Sequence, residues 1–158
     1  DEKYRAFTNE LNTTYKYPTD FRSAETPIFL TKDVKRQLVE ACDEIVGQLQ
    51  SEQFRRHSET AIPAGLSVPN ETSHPVFLQI DFGICTDANG NIIPQLIELQ
   101  GFPTVACWQV LLAQAYRHHF TGIPADFTPY FGGLDEEGYL STLRSAMLGL
   151  GTLRDCNG

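Results

Sequence analysis

Four side chains with oxygen-bearing tips, Gln79, Asp81, Glu98 and Gln100, fall where two adjoining β-strands can gather them on one face. The runs 76–85 and 92–100 are apolar and rich in β-branched residues. Between them, Asp87-Ala88-Asn89-Gly90-Asn91 contains the Asn-Gly pair that is the strongest short-range hairpin signal. With Asn89-Gly90 as a two-residue type I′ turn, Asp81 faces Glu98 and Gln79 faces Gln100. The same register assigns Leu78, Ile80, Phe82 and Ile84, with Ile93, Ile97 and Leu99, to an apolar core face. It leaves Phe77, Leu96 and Phe102 around the acids. Two carboxylates directly across a strand pair repel one another. A divalent cation reverses the sign of that interaction, and magnesium prefers hard oxygen ligands, to which Gln100 adds a neutral one. A longer loop would set Asp81 opposite Ile97 instead, because successive side chains alternate faces. The plain alternative is a solvated polar face on which two acids happen to be neighbours.

Other elements must hold that hairpin. Thr31 reads as an N-cap ahead of Asp33, and Val34, Leu38, Ala41, Cys42, Ile45 and Leu49 recur at helical spacing, which predicts an amphipathic helix over 32–50. Residues 1–27, with Tyr4, Phe7, Leu11, Tyr15 and Tyr17 before Pro18, admit a short helix. Pro63, Gly65, Pro69, Asn70 and Pro75 make 55–75 read as a long connection. Past the hairpin, Pro103 suits the first turn of a helix that continues through Trp108, Leu112 and Tyr116 to about Phe120. The amides of that first turn are expected to point toward an anion. After a loop over 121–134, Asp135 caps a last helix, with Glu136 and Glu137 in its first turn and Leu140, Leu143, Met147 and Leu148 inward. The expected fold is α+β and a single domain over 1–158. An antiparallel hairpin, joined by further strands from the long loops, packs its apolar face on the helices at 32–50 and 103–120.

Composition narrows the partners. A net charge of −8 argues against nucleic acid, which wants a basic face. ATP stays open, because a bound cation and a few local donors neutralise its phosphates. No apolar run approaches the roughly 18 residues of a membrane span, and the N-terminus lacks a signal-peptide apolar region, so the expected location is the cytoplasm. Cys42, Cys85, Cys107 and Cys156 form no CxxC pair, and no histidine stands at zinc-ligand spacing from them. Cys42 and Cys107 lie in apolar helical patterns and read as buried thiols. Cys85 reads as a buried, inert thiol on the strand face of Asp81. Arg22, between Asp20 and Glu25, is a candidate anion contact but reads first as a surface residue. His118-His119 suits a helix C-terminus through the dipole alone, and neighbours on a helix point about 100° apart, which disfavours a shared metal. Cys107 and His118, 11 residues apart on one helix, are about 16 Å from each other and too distant for a thiol–imidazole pair.

The run Gln79-Ile-Asp81-Phe82, then Asp87-Ala-Asn-Gly90, then Gln95-Leu-Ile-Glu98-Leu-Gln100-Gly-Phe-Pro103-Thr104, then Gln109 resembles the ATP-grasp superfamily. It is most similar to the circularly permuted, glutathionylspermidine synthase-like arrangement, with its Arg-x-Asp, glycine turn, Glu-x-Asn, and Pro-Thr entering a helix. The resemblance covers roughly residues 76 to 110. It implies that Asp81, Glu98 and Gln100 are magnesium ligands and that Gln79 stands where the family has a phosphate-contacting arginine. It further implies Mg2+ and ATP as cofactors and a small carboxylate and amine as substrates of an ATP-dependent ligase acting through an acyl phosphate. Two departures matter: Gln79 lacks the arginine charge, and Gln100 is longer than asparagine. The family's nucleotide-clamping lysines lie downstream of the motif, whereas no lysine follows Phe102 here. The chain is therefore expected to be the N-terminal part of a longer ligase-like protein. The competing expectation is a non-catalytic ligand-binding or assembly module derived from the same fold.

Overall fold

Side-chain caps start three of the helices in a computed structural model of the chain, which describes residues 2–14, 20–70, 74–102 and 105–149. The elements run α1 (Glu2–Thr13), α2 (Lys32–Leu49), α3 (Glu52–Ala61), β1 (Gln79–Thr86), β2 (Ile92–Gln100), α4 (Ala106–His119) and α5 (Glu136–Met147). Thr31 and Ser51 accept hydrogen bonds from the Val34 and Phe54 amides, each at 3.2 Å, and Asp135 accepts from the Gly138 amide at 2.8 Å. Each cap satisfies one of the amide donors that a helix start leaves unpaired. The class is α+β, as expected from the sequence.

Helix α3 corrects the reading of 55–75 as one connection. Ser51 caps it, and Arg55 reaches Glu52 at 2.9 Å and Glu59 at 3.2 Å, one turn to either side. Such exposed pairs contribute only about 0.3–0.5 kcal/mol each. Together with the cap they favour helix in a stretch with no buried residue.

The described residues form two compact units, one spanning 29–102 and the other built from the residues before and after it. In the second unit α1 packs on α4, and α4 contacts α5. Phe7 and Leu11, at 0% and 2% exposure, meet Ala115 and Tyr116 in its buried core. The Phe7 ring stacks on Tyr116 with centroids 4.6 Å apart. Burying one such ring stabilises by roughly 1.5–3 kcal/mol. The hydroxyls of Tyr4 and Tyr116 donate to the carbonyls of Ser23 and Ala24 at 2.8 and 2.7 Å, which ties the segment after α1 to this core. Helix α4 begins at Ala106, with Val105 before it in the left-handed region at φ 49° and no side-chain cap. Pro103, the expected first helical residue, lies outside the described residues, as does Cys156. As a β-branched residue, Val105 is strained in the left-handed region.

In the 29–102 unit α2 packs against β2 and Val34 is buried, while β1 and β2 pair antiparallel. The expected further strands are absent among the described residues; the sheet has two. None of the described helices is long and apolar enough to cross a membrane.

Candidate functional sites

Asp81 does face Glu98, and Gln79 faces Gln100, but by a different route from the simple hairpin. The turn is longer than two residues. The Asp87 amide donates to the Asn91 carbonyl at 2.9 Å, and the Gly90 amide, at φ 83°, donates to the Asp87 carbonyl at 3.0 Å. The Asp87 carboxylate accepts from the Asn89 and Asn91 amides, both at 2.8 Å, and from the Asn91 side chain at 2.9 Å. Those Asn91 bonds, with the Asn89 amide, outweigh partial desolvation and hold the carboxyl below the usual aspartate range.

This loop places Thr86 opposite Ile92 and Phe82 opposite Leu96, one residue out of the two-residue-turn register. A bulge between Asp81 and Phe82 then restores it, with Ile97 as the extra residue on β2. Loop and bulge each shift the pairing by one, in opposite senses. The acid pair survives, and the faces near the turn change. Leu96 joins Ile80, Phe82 and Ile84 rather than lying near the acids. Ile93 and Ile97, expected on the apolar face, lie on the face of Asp81, Gly83 and Cys85. Phe82 is half-buried rather than core.

On that face Gln79 Nε2 donates to Asp81 Oδ1 at 3.2 Å. Gln79, Asp81 and Gln100 are half-buried and Glu98 is exposed. Carboxylates paired across the strands, with side-chain amides one pair along, are oxygen-bearing groups of the kind that magnesium accepts. A cation between them would offset their repulsion.

A second cluster lies in the other unit, and local sequence pattern, which explains the histidine pair by the helix dipole alone, does not reveal it. Glu10, in the last turn of α1, holds Oε2 at 2.7 Å from both His118 Nδ1 and His119 Nε2, at the end of α4. The 100° between adjacent helical residues is overcome because one ring offers its near nitrogen and the other its far nitrogen. Burial pushes the Glu10 carboxyl up, but hydrogen bonds from His119 and His118, with their charge, more than offset it and hold the group below its usual range. The signal available in the sequence was the Tyr4, Phe7, Leu11 stripe, which seats α1 with Glu10 at its edge.

The remaining candidates carry less. Asp20, Arg22 and Glu25 are exposed, in keeping with a surface role. Cys107 is exposed rather than buried, while Cys42 and Cys85 are half-buried. Burial, then the neighbouring Asp43, pushes the Cys42 thiol above its usual value, which suits an inert group. Comparison of the chain with family models, curated proteins and solved structures finds no match.

Proposed function

We propose that the hairpin is a divalent-cation and nucleotide-phosphate site, part of an ATP- and magnesium-dependent carboxylate–amine ligase. Asp81, Glu98 and Gln100 hold the ion and Gln79 lies beside the phosphates. The observation that carries this reading is the opposition of Asp81 and Glu98 on one sheet face, retained through a loop and a bulge that offset each other. In such a reaction the carboxylate substrate attacks the γ-phosphoryl group, giving an acyl phosphate and ADP. The amine then displaces phosphate. Magnesium bound to the nucleotide phosphates stabilises the charge moving onto the leaving group.

Support for a part of a larger catalytic unit comes from the sheet itself. The sheet has two strands, steadied by α2 against β2, and Leu96 and Ile97 stand 53% and 70% exposed, an apolar surface that a larger unit would cover. A second reading, a non-catalytic ligand-binding or assembly module, is favoured by Gln79, a neutral amide at the position where the resemblance implies an arginine. The free thiols of Cys42, Cys85 and Cys107 suit the cytoplasm as the setting. Calorimetry of ATP binding with and without magnesium tests the site. Magnesium-dependent binding that is lost in Asp81→Asn and in Glu98→Gln supports it. Absence of nucleotide binding, with or without the metal, favours the module.

A further inference from the structure

We infer that Glu10, His118 and His119 form a binding site for a borderline divalent metal of the zinc class, separate from the magnesium site proposed on the hairpin. Two imidazole nitrogens from one helix meet a carboxylate oxygen from another, each at 2.7 Å, and the three ligating groups lie within 4.8 Å of one another. Imidazole nitrogens select zinc, cobalt, nickel or copper over magnesium, and a two-histidine, one-carboxylate set leaves a position open for water or a fourth ligand.

Three further features favour a cation at this point. Glu10 lies in the last turn of α1 and the histidines end α4, so two helix C-termini place their partial negative charge here. The carboxylate side chain is 33% exposed, His119 16% and His118 70%, which leaves the cluster anchored on one side and open to water on the other. The Phe7 ring meets the His119 ring edge-on with centroids 6.2 Å apart, so the better-buried ligand is oriented by the core. Metal bonds of about 2.0–2.1 Å hold tetrahedral donors roughly 3.3 Å apart. The present 2.7 Å contacts therefore open by roughly 0.6 Å on binding.

Titration of the full chain with Co2+, followed by its visible d–d absorption, and then displacement by Zn2+ in calorimetry tests the site. The expected result is a single equivalent bound through nitrogen and oxygen donors. His118→Gln and Glu10→Gln are each expected to weaken binding by about tenfold or more, as a lost ligand should exceed the penalty for a lost outer-shell partner. His118 is well exposed, so its variant is expected to keep the wild-type circular dichroism. Asp81→Asn is expected to leave Zn2+ affinity unchanged, which separates this site from the hairpin. Any of three results overturns the inference: no binding by the wild-type chain, wild-type affinity retained in both ligand variants, or a sulfur-to-cobalt charge-transfer band that assigns the ion to cysteine. In the first case the three side chains form only a hydrogen-bonded clip between α1 and α4.

Discussion

Ile97 rests over Gly83, its Cδ1 3.4 Å from the position that a β-carbon on that glycine would take. The contact marks the bulge that returns Asp81 to its place opposite Glu98. Bulged residues lack a cross-strand partner and settle where the facing strand leaves room. Gly83, paired with Gln95 and diagonal to the bulge, lets the Ile97 side chain lie over it.

Gly83→Ala is expected to be tolerated, because a separation of 3.4 Å is ordinary van der Waals contact. Loss of glycine's excess freedom in the unfolded chain should raise stability by about 0.4–1 kcal/mol. Urea denaturation checks the gain. Nuclear Overhauser contacts between Phe82 and Leu96, and between Asp81 and Glu98, check that the register persists.

Asp81→Asn removes one of two like charges on a shared face. In buffer free of divalent ions it should leave stability unchanged or raise it by roughly 0.2–1 kcal/mol. Thermal melts with chelator and with magnesium separate repulsion from ion binding. A large loss of stability without metal would mean that this carboxylate serves the fold through its hydrogen bond from Gln79.

Phe7→Ala and Phe82→Ala should differ in cost. Phe7 is fully buried, and its truncation is expected to cost about 3–5 kcal/mol. Phe82 is half-buried, and its loss is expected to cost roughly 1–2 kcal/mol. Trp108 is the single tryptophan and packs at the edge of the core that holds Phe7. Its fluorescence reports the first variant, and far-ultraviolet circular dichroism follows the second.

Acid should open the hairpin loop in a defined direction. The Asp87 carboxyl is held below its ordinary value of 3.8, chiefly by the side chain and amide of Asn91. A depressed carboxyl contributes stability that is fully present above the ordinary value. That contribution is lost as the pH falls through the lower folded value. An NMR titration should show the Asn89 and Asn91 amide shifts moving together below pH 3.8, and Asp87→Asn should abolish that step.

The caps at Thr31 and Asp135 were legible in the sequence because a cap joins groups only three residues apart and needs nothing from the rest of the chain. Ser51 carried the same signal, and the prolines after it masked a helix that ends at Ala61. The hairpin and its acid pair were legible through Asn89-Gly90 and the flanking apolar runs, and so was the α+β class. The faces were not. A loop shift and a bulge cancel at Asp81 but not at Leu96, Ile93 or Ile97, and alternation alone cannot locate an extra residue. Exposure of Cys107 likewise depends on which side of α4 its neighbours cover. Glu10 meets His118 and His119 across 108 and 109 residues of chain. Local pattern can place each on a helix and seat Phe7 inward. Only the packing of Phe7 and Leu11 against Ala115 and Tyr116 brings the two helix ends together, because burial of those side chains, not any property of the acid or the histidines, sets how α1 meets α4.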